Sequence, residues 1–495
     1  MTDYPSNIRQ VRNFINGEFV EGSDAKTFEN RYPATNEIVG VVHEASKRDV
    51  DAAVRAARAA FEGPWGSMPL EERLGLLEKV ADGVKARLDE FVAAEVADSG
   101  KPRMPTLNFE VPRGAEQFRL FADVVRNVKP LEEVATRMPD GGTAINRPER
   151  SPRGVVAAIC PWNIPFIQMS WKVAPALASG NTIIVKPSEE TPTTAALLGE
   201  VMNEAGIPPG VFNVVHGFGP GSAGEFLSTH PGVDGITFTG ETETGAAIMR
   251  AAAGNIKALS LELGGKNPGI IFADANFEAA VAGAAAASFF NCGQLCLSTE
   301  RLYVERPIFD DFVAALKEKA EALKCGDPNQ PATSLGPLSS RSHQEKVLTY
   351  YGVAAAEGAA IVTGGGRPDM ADEWSEGAWV QPTIWTGLPE TSRTVKEEIF
   401  GPCCHVAPFD TEDEALSMAN ATDYGLAAMV WGGDAEQVQR VASKIQAGIV
   451  WVNCWLVREL RSPFGGFKQS GIGREGGEYA LEFFTEIRNV CTREG

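Results

Sequence analysis

The sequence predicts an α/β protein built on doubly wound parallel sheets, and three observations predict it. The chain has 495 residues, which at ~100–200 residues per domain gives two to four domains. From residue 151 short apolar runs alternate with helical stretches, the mark of a parallel sheet wound on both faces. A second alternating region starts near residue 276, so there are two such units.

In chain order, SKRDVDAAVRAARAAF comes first. Ser46 and Asp49 form a capping box, and Val50, Ala53, Val54, Ala57 and Phe61 line one face at helical spacing. In the first alternating unit TIIVK (182–186), FNVV (212–215), ITFTG (236–240) and LSLEL (259–263) read as strands. Helices at 192–205, 222–229 and 243–253 connect them, and two of these stop at Gly206 and Gly254. In the second unit a helix at 276–290 leads to the strand RLYVE (301–305) and a helix at 308–323. After a loop-rich middle, strands near 405–409, 427–432 and 448–452 enclose helices at 411–419 and 434–446. The final EFFTEIRNVCTRE alternates like an exposed strand, and an unpaired edge strand is a liability that a partner subunit would cover.

Composition narrows the function. There are 45 Lys+Arg against 65 Asp+Glu, a formal charge of −20. That balance argues against a nucleic-acid surface and against an anionic-membrane binder. No stretch approaches the ~20 apolar residues of a membrane helix, and MTDYPSNIRQ lacks the basic-then-apolar pattern of a signal peptide. Eight cysteines are too sparse for a disulfide scaffold and read as free thiols in a reducing cytoplasm. The five histidines are scattered, with no HExxH. His405 beside Cys403 and Cys404 reads as the start of a buried strand, so no metal site is expected. No GxSxG elbow is present to support a serine hydrolase.

Three segments could carry chemistry. FFNCGQLCLSTER holds Cys292 and Cys296 around a Gly293-Gln294 turn. Free cysteines are more often buried and inert, but the Gly293-Gln294 turn shifts the reading toward a nucleophilic thiol on a tight bend. Glu262 in LELGGKNP ends an apolar strand just before two glycines. It is a base candidate where a ligand could approach the backbone, or a solvated strand end. Asn163 in CPWNIP sits between two prolines. Its amide could donate to a developing oxyanion, or simply complete a turn. Two glycine patterns compete for a dinucleotide, GFGPGSAG (217–224) and GETETG (240–245), and neither is a full fingerprint. The second opens a helix and better suits an anion at a helix N-terminus. Lys186 and Glu189 after TIIVK could bind ribose hydroxyls, and a carboxylate there would repel a 2′-phosphate, favouring NAD over NADP.

Together these segments resemble the aldehyde dehydrogenase family over essentially the whole chain. LELGGK resembles its glutamate signature and FFNCGQLC its cysteine signature. PWN, KPSE, FTGxTxxG, EEIFGP and PFGGFKxSGIGRE stand in the family's order. The resemblance implies the family's fold: two doubly wound domains plus a small β oligomerisation flap. The NAD-binding domain would span 1–124 and 148–259, the catalytic domain 260–477, and the oligomerisation segment 125–147 and 478–495. It implies Cys296 as nucleophile, Asn163 as oxyanion donor with the Cys296 N–H, Glu262 as hydrolytic base, and Glu475 with Lys172 on a proton path. It implies NAD as cofactor, touched by Ile159, Pro161, Trp162, Lys186, Ser188, Glu189, Gly219, Phe238, Gly240, Glu241, Gly245, Leu263, Glu398 and Phe400, with the last two nonglycine residues at the nicotinamide ribose. A homotetramer or homodimer is expected.

One position departs from the common pattern. Glu241 stands where most members carry serine after FTG, so the serine–phosphate contact does not carry over. VPRGAEQFRLFADVVRN, ITFTGETETG, WVQPTIWTGL and WVNCWLVRELRSPFGG resemble the branch that oxidises carboxylate-bearing semialdehydes in aromatic-ring catabolism. There Arg113 and Arg458, with Phe464, would line the substrate tunnel, the arginines meeting an anionic end. The competing expectation is that each arginine pairs with Glu110 or Glu459, with Arg461 as a substitute for Arg458. A broad-specificity aldehyde dehydrogenase is the main alternative. Glu262 speaks against a CoA-acylating enzyme, and the full set of site residues against a silent scaffold.

Overall fold

A computed structural model describes residues 8–494. Its first large sheet has eight strands, in the order Gly471–Ile472, Ala258–Glu262, Gly235–Thr239, Val155–Ile159, Thr182–Lys186, Phe212–Val214, Asn13–Ile15, Glu18–Val20. The five central strands run parallel and the outer ones antiparallel. Four of the central five are buried along their whole length, as expected of strands covered on both faces. The chain leaves Val155–Ile159 toward one edge and returns on its other side at Gly235–Thr239. That reversal opens a crevice at the carboxyl ends of those two strands, where α/β sheets bind ligands.

The second sheet has seven strands, with Asn267–Ile271 flanked by Thr299–Glu305 and Ala427–Trp431. The chain passes from the first sheet to the second through Gly264 and Gly265, one residue after Glu262. A side chain is excluded at both glycines: a Cβ on Gly264 would lie 2.4 Å from the Glu398 carboxylate, and one on Gly265 2.9 Å from the Cys296 carbonyl.

Every strand and helix read from the sequence forms, within a few residues. The Ser46–Asp49 capping box is present in full. His405 lies buried within the strand Cys403–Phe409. One reading needs correction. The strand expected over 482–494 begins only at Thr485, because Ala480–Phe484 is a helical turn that packs Leu481, Phe483 and Phe484 into the core. Two strand pairings cross the expected domain limits. Thr143–Pro152 pairs with Thr485–Glu494 along its whole length, so the flap extends past 147. The first sheet includes Ala258–Glu262 and Gly471–Ile472, so it crosses the limit at 259 and recruits a strand from the region assigned to catalysis.

Among the described residues no helix is long and apolar enough to cross a membrane.

Candidate active site

The junction of the two sheets brings the expected chemical residues together. Glu262 ends its strand with both carboxylate oxygens buried and without a hydrogen-bond partner. One of them lies beside the Gly465 backbone, where a Cβ would stand 2.9 Å from it. Burial raises the Glu262 carboxyl well above the usual carboxylate range, and the Glu475 charge adds to this. Lys172, Arg458 and Arg474 oppose it. Lys172 is fully buried and reaches Glu475 at 2.9 Å and the Thr237 hydroxyl at 3.0 Å. A neutral apolar replacement would be cheaper to bury, so a paired Lys–Glu beside an unpaired Glu points to proton handling.

Cys296 follows a turn forced by backbone geometry. Asn291, Cys292 and Gly293 have φ of 52°, 58° and 70°. A Cβ on Gly293 would fall 2.0 Å from the Gly401 carbonyl oxygen. The bend separates the two thiols. Cys292 is buried in an apolar cluster, whereas Cys296 reaches the cavity wall. Burial pushes the Cys296 thiol up to about 12, helped by Glu262 and Glu398 and opposed by Arg458. Its own backbone N–H lies within hydrogen-bonding reach of the sulfur. Asn163 donates to the Gln294 carbonyl at 3.0 Å, and Asn291 donates to the Asn163 carbonyl at 3.1 Å. The amide is therefore fixed against the thiol-bearing turn, where a preorganised donor is most useful.

A cavity of about 180 Å³ leads to Cys296. Arg113, Arg458 and Phe464 line it, with Gln117, Gln168, Trp171, Phe290 and Leu456. Neither arginine is paired with Glu110 or Glu459 in a salt bridge among the described residues. Glu110 is occupied by buried Lys101. Arg113 donates to the Arg458 carbonyl at 3.1 Å. The Arg458 guanidinium lies 3.9 Å over the Phe464 ring and 5.4 Å from that of Trp171. Desolvation lowers the pKa of both arginines. Glu459 opposes this at Arg113, and Cys296, Glu475 and Glu262 oppose it at Arg458, but among the described residues no carboxylate stands within salt-bridge distance of either guanidinium, so the cavity suits an anion. Arg461 lines a different cavity, with Arg150 and Tyr479, and is no substitute.

The residues expected to hold a dinucleotide surround the crevice. Ile159, Pro161 and Trp162 leave one strand of the switch point, and Phe238 and Gly240 the other. Lys186 and Ser188 are buried at the end of the neighbouring strand, where Lys186 pairs with Glu189 at 3.2 Å. The helix Thr242–Ala252 has no side-chain cap at its start, so its first N–H groups are free for an anion. Gly245, one turn in, lies against Leu263: a Cβ there would be 2.5 Å from it. Gly219 faces open space. Across the crevice Glu398 accepts from the Gly265 N–H at 2.8 Å, and the Phe400 ring stands edge-on to Trp162. Glu241 is not aimed at the crevice as a lone carboxylate. It pairs with Lys346 at 2.9 Å. This set fits an NAD molecule: a free helix start, buried polar groups at strand ends and room left by glycines.

Three participants escaped the sequence reading. Asn267 donates to the carbonyls of Cys296 and Ser298, both at 2.7 Å, and so fixes the nucleophile's backbone. Thr237 holds Lys172. Trp171 forms cavity wall. The signal for Asn267 was in plain sight in LELGGKNP, but a neutral amide suggests no chemistry until its partner is known.

Comparison with known proteins gives a consistent picture. A model described as the aldehyde dehydrogenase family matches residues 19–490. The chain is similar to the 2-hydroxymuconic semialdehyde dehydrogenase of Pseudomonas sp. (strain CF600), at 56% identity over 98% of this chain and 100% of that protein. It is similar to the 2-aminomuconic 6-semialdehyde dehydrogenase of Pseudomonas sp, at 51% over 98% of each. Among solved structures it resembles the NAD+ complex of aldehyde dehydrogenase from Bacillus cereus. There the TM-score is 0.93 and identity 41%, covering 98% of this chain and 97% of that one.

Proposed function

The chain belongs to the aldehyde dehydrogenase family, as an NAD-dependent enzyme, and from that premise we propose that its substrate is 2-hydroxymuconic semialdehyde. The product would be the dicarboxylic acid, and the step would belong to the catabolism of aromatic rings opened by meta-cleavage. The observation that carries the substrate assignment is the pair of guanidinium groups, Arg113 and Arg458, in the wall of the cavity that ends at Cys296. They supply the charge that a muconic carboxylate requires at the far end of the molecule from its aldehyde. The 2-aminomuconic analogue carries the same carboxylate, and the arginines serve it equally.

The roles follow from the geometry. The thiol of Cys296 is held protonated and needs a base to attack. Buried Glu262, without a hydrogen-bond partner, is the acceptor within the same electrostatic cluster. The sulfur adds to the aldehyde carbon, and the Asn163 amide with the Cys296 N–H holds the oxygen. NAD held between these residues would supply the hydride acceptor for the oxidation. The resulting thioester is hydrolysed by a water that Glu262 deprotonates, and Glu475 with Lys172 takes the proton onward. Glu189 beside Lys186 favours NAD over NADP.

The test is a panel of aldehydes with and without a distal carboxylate. A charge-assisted contact contributes about 1.5–3 kcal/mol, roughly ten- to over a hundredfold in kcat/KM. Arg458→Ala is expected to lose that factor on the muconic semialdehyde and to leave hexanal or benzaldehyde unchanged or improved. Equal losses on both classes would make the arginine structural and sink the assignment.

The assembly is also proposed. In the flap sheet, Thr485–Glu494 and Val134–Arg137 are the two edge strands, and Ile487 and Val490 on the first and Val134 on the second are exposed. A second copy covering this sheet would give a homodimer or homotetramer. A monomeric mass by light scattering would rule it out.

A further inference from the structure

The mechanism above leaves unused a fully buried ion pair, Lys266 with Glu300, placed between the nucleophile and the far wall of the cofactor crevice. Burying two charges is expensive unless the remaining donors and acceptors are satisfied. Here they are satisfied by two consecutive backbone amides of one loop. One oxygen of Glu300 accepts from the Phe400 N–H at 2.8 Å, and the carboxylate accepts from the Ile399 N–H at 3.1 Å. Phe400 has φ of 63°, the left-handed region that a bulky residue seldom enters. Its carbonyl is held from the other side by the His343 ring at 2.8 Å. The loop is therefore pinned in a strained form, and the Glu300 carboxylate supplies the pins on its N–H side.

The same pair reaches the chemistry. Lys266 lies between Gly265, whose N–H binds the Glu398 carboxylate, and Asn267, whose amide binds the Cys296 carbonyl. The Lys266 carbonyl accepts from Arg301 at 2.7 Å and 2.9 Å, next to Glu300 in sequence. One charge pair thus joins the segment that orients Cys296 to the loop that carries Glu398 and Phe400.

We propose that Glu300 is a positioning residue for the nicotinamide half of the cofactor: through the Ile399 and Phe400 amides, and with Lys266 as its counter-charge, it sets the loop 398–400 at a fixed distance from Cys296. This rests on the reading of Glu398 and Phe400 as contacts of the nicotinamide ribose. Glu300 itself touches neither substrate nor cofactor. Lys266 neutralises it so that the loop's amides meet a carboxylate without leaving net charge in the core.

Calorimetric titration of the full chain with NAD and with AMP tests this, because AMP lacks the nicotinamide half. Glu300→Asp keeps the charge opposite Lys266 but shortens the reach to the two amides. Glu300→Gln keeps the reach and removes the charge, and serves if the aspartate variant does not fold. Either is expected to raise the Kd for NAD about tenfold, to leave the Kd for AMP within about twofold, and to leave the aldehyde KM at saturating NAD unchanged. Weakening of NAD and AMP alike would mean general structural damage and overturn the proposal. Glu398→Gln separates the two layers of the argument. If Glu398→Gln weakens NAD while the Glu300 variants do not, Glu300 has no positioning role. If none of the variants weakens NAD, the loop is no cofactor contact, and both the proposal and the reading beneath it fall.

Discussion

Glu262 and Cys296 are held in their neutral forms by the same cause, removal from water; the Glu262 charge raises the thiol further, and the Glu475 charge raises Glu262. A neutral thiol beside a neutral carboxyl is a poor nucleophile at rest. It becomes a competent one only when the proton moves out along Glu475 and Lys172 or is displaced by arriving charge. Glu262→Gln therefore separates two uses of the residue. The amide cannot deprotonate water, so hydrolysis of the thioester should slow far more than its formation. Rapid-quench kinetics should show a burst of about one NADH per site followed by a slow steady state. Slow NADH formation without a burst would place Glu262 in activation of the thiol. The residues legible in the sequence were those whose type announces chemistry: a thiol on a Gly turn, a strand-end Glu, an Asn between prolines. Lys266 and Glu300 were not legible. A charged pair at two separate strand starts looks like two solvated side chains until the sheets stack and bury both.

Elements set which thiol reacts. The helix Phe277–Phe289 ends in a turn whose left-handed residues bring Cys296 to the cavity and leave Cys292 among apolar side chains. Gly293 is the residue on which the turn depends. Alanine there would have to hold φ near 70° and place its Cβ 2.0 Å from the Gly401 oxygen. The left-handed backbone alone costs about 1–2 kcal/mol, and relief of the clash must move either the thiol turn or the loop that carries Phe400. Gly293→Ala should thus lower both kcat and the melting temperature. A variant with wild-type kcat would show that the turn tolerates displacement. Alternation made the sheet elements legible, because strands buried on both faces read as short apolar runs. The helices Leu70–Ala86, Leu88–Ser99 and Val111–Asn127 were harder. Leu88–Ser99 buries Glu95, Asp98 and Ser99 alongside its apolar residues, so polarity no longer marks the solvent face. The five-residue π-helical stretch Thr106–Glu110 just before Val111 places buried Glu110 in the cavity wall, and no sequence period specifies such a turn.

At the scale of the whole molecule, the buried titratable groups and the net charge combine to set a pH dependence of stability. His216, His343 and His405 are buried, and desolvation lowers them to about 3, 4 and 4. An imidazole lowered on folding adds stability that is complete above its unfolded value of about 6.5 and lost as pH falls through the folded value. The carboxyls run the other way. Burial raises Asp98 to about 6, Glu95 and Glu190 to about 7, and Glu398 to about 8. Their contribution is complete below the unfolded range and is lost as pH rises through 6 to 8, because the native state then binds protons that the unfolded chain has already released. Above pH 6.5 the histidines no longer change, and the carboxyls act alone. The formal charge of −20 adds self-repulsion with the same sign. The melting temperature should therefore decline from pH 6.5 to pH 8.5. Glu398→Gln should flatten the upper part of that decline, since its amide has no proton to lose. A melting temperature that climbs over this interval would show that the buried carboxyls ionise in the native state without cost. Turnover needs the opposite trend, because Glu262 must give up its proton to act as a base. The acid that makes the pocket reactive is thus one of the groups whose ionisation loosens the fold.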